Sequence, residues 1–487
     1  MIQGYDPRTG QPAGDPVPET DGAQVDAIAE AAAAAFVPWE QMGPAGRAAA
    51  LEAVASALDG AAEELVVAAD TETALGTARL TGEVARATGQ LRHFAAVLAD
   101  GGYADAVVSP GGDGVPGLRR VNRPIGPVAV FAASNFPFAF SVAGNDTASA
   151  LAAGCPVVVK AHEGHPRTSV LTARIVTEAL AGAGAPAGTF AVVFGVEAGV
   201  RLLQHPAIAA AGFTGSVRGG LALAAICAQR PVPIPFFGEL GSVNPVVILP
   251  GAAAARPGDI AAGYAASLTL GVGQFCTNPG LLFVPASGGR LLPEIAAAVG
   301  SSAGGPMLTA RIHDAFSAAV AELGDRPGVS GLAEGQPGPG PWSATPAVFG
   351  VGLDEFAAEL PGLAQERFGP VGLVITYSSV ADLLPVLARL GGNLAGVVHA
   401  DEASAADMEL AGQVAGVLAR TVGRVVFNGW PTGVVVTSAQ HHGGPWPAST
   451  APAYTSVGAA AIRRWLVPVA YQDFPAPLLP AALRTAG

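Results

Sequence analysis

The run Gly271-Val272-Gly273-Gln274-Phe275-Cys276-Thr277-Asn278-Pro279-Gly280 sets a thiol among glycines and turn formers. Glycine lets the backbone approach a ligand closely. A cysteine on such a loop can offer its sulfur to a substrate and its own N–H to a developing oxyanion, although the same residues also suit a buried thiol. Glu239 lies in Phe237-Gly238-Glu239-Leu240-Gly241. Desolvation by such neighbours raises a carboxyl pKa and makes a better general base; a glutamate in a surface loop fits the pattern too. Asn135, in Ala133-Ser134-Asn135-Phe136-Pro137-Phe138, follows an expected strand. Its amide can donate to an oxyanion or cap a turn. Phe213-Thr214-Gly215-Ser216 follows an alanine-rich strand and opens a helix. That helix start suits a pyrophosphate and equally an ordinary cap. No G-x-G-x-x-G follows a strand, so the ordinary dinucleotide fingerprint is absent.

One cation stands apart. Lys160 is the only lysine among 25 basic residues, all the others being arginine. In a chain that has drifted so far toward arginine, the ammonium either survives by chance or stands where a compact point charge works and a planar guanidinium does not.

These residues must be positioned by elements of the right kind. Residues from about 21 to 100 carry Ala, Leu, Val and Glu at helical spacing, with breaks expected at Pro38 and near Gly43-Pro44. Residues 104–123 read as an extended hairpin. From Pro127 onward short apolar strands (128–131, 157–159, 191–194) alternate with helical stretches (145–153, 168–182). That alternation predicts a parallel α/β sheet, whose ligands bind beyond the carboxyl ends of the strands. A second α/β stretch spans about 237–427, with strands expected at 245–249, 281–284 and 372–376 and a Gly/Pro-rich surface loop at 335–341. The tail 465–480 is apolar and proline-rich, as a docking segment would be.

Composition narrows the function. The chain has 487 residues, half of them hydrophobic and 13% charged, which predicts two or three compact domains rather than disorder. A net charge of -13 with no basic stripe argues against nucleic acid. No signal-like start or bilayer-length apolar run is seen, so a soluble cytoplasmic protein is expected. Cys155, Cys227 and Cys276 form neither a disulfide framework nor a zinc spacing. No metal site is expected, and Cys155 and Cys227 read as buried thiols.

Taken together and in order, six pieces resemble the aldehyde dehydrogenase superfamily over nearly the whole chain. They are Ser134-Asn135-Phe136-Pro137-Phe138, Lys160 after its valine run, Phe213-Thr214-Gly215-Ser216, Glu239-Leu240-Gly241, Gly273-Gln274-Phe275-Cys276, and Glu366-Arg367-Phe368-Gly369-Pro370. The resemblance implies an α/β fold with a Rossmann-like cofactor domain (1–103 and 124–236), an α/β catalytic domain (237–430) and bridging or oligomerisation segments (104–123 and 431–487). It implies Cys276 as nucleophile and Glu239 as activator of the deacylating water. The Asn135 side chain and the Cys276 N–H would form the oxyanion hole. Lys160 and Glu163 would hold the adenosine ribose, Gly215 and Ser216 the pyrophosphate, and Glu366 with Phe368 the nicotinamide ribose of NAD(P)⁺. The partners implied are a small aldehyde and a second copy or more of the chain, as a homodimer or homotetramer.

Some residues depart from the commoner pattern: Ala161 after Lys160, and Ser242-Val243-Asn244-Pro245 in place of a Gly-Lys run. With Phe427-Asn428-Gly429-Trp430-Pro431-Thr432-Gly433, His442-Gly443-Gly444-Pro445 and Tyr471-Gln472-Asp473-Phe474-Pro475, they resemble one branch, the α-ketoglutaric semialdehyde (2,5-dioxovalerate) dehydrogenases and related NADP⁺-linked enzymes. NAD⁺ and NADP⁺ remain open alternatives: Glu163 suits a free 2′-hydroxyl, the branch leans to NADP⁺, and Arg201 is a cation that could compensate. Two other readings are a dehydrogenase that releases its thioester to coenzyme A, which usually lacks the glutamate, and a non-catalytic structural protein on the same fold.

Overall fold

The computed structural model describes residues 1–484. After a short antiparallel pair, Tyr5–Asp6 with Gln11–Pro12, four helices follow: Gly22–Gln41, Gly43–Gly60, Ala62–Thr73 and Thr77–Asp100. The first starts on a capping box, in which Asp21 and Gln24 satisfy each other's backbone N–H groups. Pro38 does not break this helix. It sits in the last turn, and the fully buried Trp39 beyond it is held by packing and by a 3.2 Å bond from its indole to the Leu151 carbonyl. The break falls instead at Gly43, whose φ of +71° is open to glycine at little cost.

Five parallel strands follow, in the spatial order Phe190–Val193, Val157–Lys160, Val128–Phe131, Ala210–Thr214, Phe236–Glu239. By chain position this is 3-2-1-4-5, and the order reverses between the first and fourth strands. The helix Asn145–Ala153 is buried along its whole length, which its Ala and Ser side chains permit. It lies in a core that also holds Leu51, Phe94 and Trp465. A seven-stranded sheet, parallel but for its edge strand Ser330–Glu334, forms the second unit; its other strands include Val246–Ile248, Leu281–Pro285, Val371–Tyr377 and Val422–Phe427.

Two expected boundaries move. The strand Phe236–Glu239 crosses the expected limit at 236/237, because its backbone pairs with Ala210–Thr214 and closes the first sheet. Of the expected bridging segment 431–487, the described residues, 431–484, do not form one piece. Ala461, Ile462 and Trp465 are buried in the first core, whereas Leu466–Gln472 pairs with Leu118–Pro124 of the hairpin in a three-stranded antiparallel sheet.

Candidate active site

Sheet register sets one edge of the site. Lys160, Phe131, Phe213 and Gly238 lie side by side across four strands, and Glu239 pairs with Thr214 one step further on. Lys160, the Gly215-Ser216 turn and Glu239 therefore share the carboxyl edge of one sheet, beside its point of reversal.

The thiol comes from the second unit. After the helix Pro257–Thr269, Gly271, Val272 and Gly273 all take left-handed backbone, with φ of +57°, +58° and +66°. For a β-branched residue such as Val272 this is strained. Gly273 is required twice over, since a Cβ there would stand 2.2 Å from the Gly369 carbonyl carbon. Side-chain amides then pin alternate carbonyls of the loop. Asn135 Nδ2 donates to Gln274 O at 2.9 Å, and Asn244 Nδ2 donates to both Cys276 O and Asn278 O at 2.8 Å. Asn244 Oδ1 accepts from Ala395 N at 3.1 Å, so this asparagine ties the loop to the sheet behind it. An amide nitrogen carries two N–H groups. Asn135 thus keeps a second donor beside a loop whose Cys276 N–H finds no acceptor among the described residues.

Cys276, Glu239 and His442 converge, each with one polar atom within 4.8 Å of the others. His442 Nε2 stands 3.7 Å from Cys276 Sγ and 3.0 Å from Glu239 Oε1. In the second contact the two atoms face each other without an aligned hydrogen bond, since Oε1 has no aligned donor. The other carboxylate oxygen accepts from the Ser456 hydroxyl. Glu239 is 5% exposed and His442 2%. Burial pushes the Glu239 carboxyl up, but the His442 charge and contact, the Ser456 hydroxyl and the Arg464 charge outweigh it and hold the group below its ordinary value. The partly exposed Cys276 thiol is pushed well up, by burial first and then by Glu239 and Glu366. Unassisted, it rests as a neutral thiol facing a carboxylate that can take its proton. A thiol, an imidazole and a carboxylate are also a donor set for a soft divalent cation.

Cys155 and Cys227 are buried, with their thiols pushed up to about 12 and about 11 by burial, so they are poor nucleophiles. On the cofactor side, Lys160 Nζ meets Glu163 Oε1 at 3.2 Å. Ser216 caps the helix Val217–Gln229 through Gly219 N, so its hydroxyl faces the helix start. Glu366 Oε1 accepts from Ser242 N at 3.3 Å, and a Cβ on Gly241 would come within 2.6 Å of Glu366 Oε2. Burial raises the Glu366 carboxyl to about 7. Glu366 and Phe368 line a small cavity with Ser242 and Gly273. The carboxylates of Glu163 and Glu366, a lysine and the Ser216-capped start of the helix Val217–Gln229 are a donor set that fits a dinucleotide.

His442 was visible in the sequence only as part of a Gly-Gly-Pro motif, without a role. Its signal was a histidine in a glycine-rich, non-helical stretch. Ser456 carried no signal, because its link to Glu239 spans 217 residues.

The comparisons with known proteins agree with this geometry. The model of the aldehyde dehydrogenase family matches residues 1–449. The chain is 44% identical to α-ketoglutaric semialdehyde dehydrogenase 2 of Azospirillum brasilense, over 99% of this chain and 93% of that one. It is 40% identical to α-ketoglutaric semialdehyde dehydrogenase of Acinetobacter baylyi, over 95% and 88%. In fold it is similar to a mutant of aldehyde dehydrogenase C from Pseudomonas syringae, solved with NAD⁺ and octanal, at a TM-score of 0.81 and 24% identity over 97% of this chain and 93% of that one. With a family match along most of its length and relatives this similar, the chain belongs to the aldehyde dehydrogenase family, oxidoreductases that act on aldehydes.

Proposed function

We propose that this enzyme oxidises 2,5-dioxopentanoate to 2-oxoglutarate, with Cys276 as nucleophile. The observation that carries the chemistry is the convergence of Cys276, Glu239 and His442 from three distant parts of the chain. The substrate rests on the two relatives named for α-ketoglutaric semialdehyde.

The thiol loses its proton to solvent, and the thiolate bonds to the aldehyde carbon. The oxyanion so formed accepts from the Cys276 N–H and the free Asn135 N–H, pre-aligned donors of a kind that contribute about 3 kcal/mol each in acyl transfer. Bound NAD(P)⁺ supplies the acceptor for the hydride that leaves this carbon. Cys276 is then a thioester. Glu239 takes a proton from water, the hydroxide attacks the thioester, and the acid leaves as the sulfur is freed. Lys160 with Glu163 would hold the adenosine ribose, Gly215 and Ser216 the pyrophosphate, and Glu366 with Phe368 the second ribose. We further propose NAD⁺ over NADP⁺. Glu163 would present a carboxylate to the 2′ position, and Arg201 is paired with Asp26, its Nε 2.8 Å from Oδ1. A cytoplasmic homodimer or homotetramer completes the proposal. No helix among the described residues is long and apolar enough to cross a membrane.

The test is an absorbance assay for reduced nicotinamide with 2,5-dioxopentanoate, each cofactor, and coenzyme A present or absent. Turnover without coenzyme A that disappears in Cys276→Ala, while cofactor still binds, is the expected result. Dependence on coenzyme A, or activity that survives loss of the thiol, would overturn it.

A further inference from the structure

One face of the helix Thr77–Asp100 meets the segment that carries Asn135 through Arg79, Glu83, Arg86 and Gln90. Three of these are spent on that segment's backbone. Arg79 donates to Asn135 O at 2.6 Å, Glu83 Oε1 accepts from Phe138 N at 2.8 Å and Ala139 N at 3.1 Å, and Gln90 donates to Ala139 O at 3.1 Å. Arg86 is not. Its Nε and Nη2 are buried and have no hydrogen-bond partner. Its guanidinium lies over Phe136 and Phe140, 5.6 and 5.1 Å from the ring centres, and Glu83 acts on it only through space. A permanently charged, half-buried fork with two of its nitrogens buried and without an acceptor is an unfinished site.

The free fork lies beside the reacting groups. Phe140, which it covers, packs against His442 with ring centres 6.4 Å apart. The Arg86 charge reaches Cys276, where it works against burial and the two carboxylates that push the thiol up, and it reaches Glu239 as well. Arg424 also reaches Cys276, but one of its terminal nitrogens is already committed to the Pro431 carbonyl.

We propose that Arg86 selects the substrate by its far end, its unpartnered N–H groups taking a carboxylate carried on the aldehyde's own chain. The enzyme then favours ω-oxo carboxylates over neutral aldehydes of equal length. This rests on the reading of Cys276 as the nucleophile that holds the aldehyde end. A guanidinium–carboxylate bond is short and directional, and neighbouring phenyl rings keep water from competing for it.

The experiment compares 5-oxopentanoate with its methyl ester, which differ by one charge. Wild-type enzyme should favour the acid in kcat/KM by about 10- to 100-fold, the range for a charge-assisted contact. Arg86→Met should bring that ratio close to one, chiefly by raising KM for the acid. A guanidinium that only props up Phe136 and Phe140 would lower both substrates together and leave the ratio intact, which overturns the proposal. Wild-type enzyme with no preference for the acid overturns it without any variant. Wild-type enzyme that oxidises neither compound sinks the parent reading, and this one with it.

Discussion

Replacing His442 by alanine asks whether the imidazole holds the charge on Glu239. In the intact site two effects oppose each other: burial pushes the carboxyl up, and His442, 3.0 Å away, is foremost among the groups that pull it down. The balance leaves the group below 4.5, so the base is ionised across the working range and its acid limb lies at low pH. Take the imidazole away and burial is opposed only by the Ser456 hydroxyl and the Arg464 charge. The carboxyl should therefore rise, because burial is the largest influence on it and its strongest counterweight has gone. Since Glu239 acts as a base, activity is lost as pH falls through its pKa, and a raised pKa moves that loss upward. The acid limb of kcat should shift up by the same amount, with a milder deficit on the alkaline side. The rate of Cys276 alkylation against pH, measured alongside, reports the thiol separately. A kcat reduced by one constant factor at every pH, with its acid limb in place, would refute this account of the pair.

Glu239→Gln should still transfer hydride once per site and then stall, because glutamine cannot take the water's proton; rapid mixing should show a burst near one equivalent, steady turnover lower by about 10²–10⁴, and an acyl adduct on Cys276. Absence of both burst and adduct would move Glu239 to the earlier step, deprotonation of the thiol it faces. Lys160→Arg should weaken cofactor binding although charge is kept, since a fork cannot replace a point donor held 3.2 Å from Glu163; equal dissociation constants would mean that the single lysine is incidental. Asn244→Ala removes the donor to Cys276 O and Asn278 O and leaves an alanine at a φ of +42°; denaturant unfolding should show a loss of about 2–4 kcal/mol, and an unchanged midpoint would show that the loop does not need this clamp.

The sequence alone determined whatever depends on neighbours in the chain. The valine run 157–159, the helix Asn145–Ala153 and the cap at Ser216 were legible because strand period, helix period and capping are local. So was the thiol on its glycine turn, since positive φ at Gly271 and Gly273 restricts which residues can stand there. Resemblance supplied the order of the motifs, though not their contacts. Tertiary structure alone decided the rest. Pro38 stayed helical because Trp39 is packed against another element, and the 236/237 boundary dissolved because strand pairing ignores distance along the chain. The same reason hid the electrostatics of the site. Glu239 was expected to be a base raised by burial, yet it is held low, because His442 and Ser456 reach it from about two hundred residues further on. Burial is written partly in local hydrophobicity, but the charges that answer it are placed only when the chain folds back on itself.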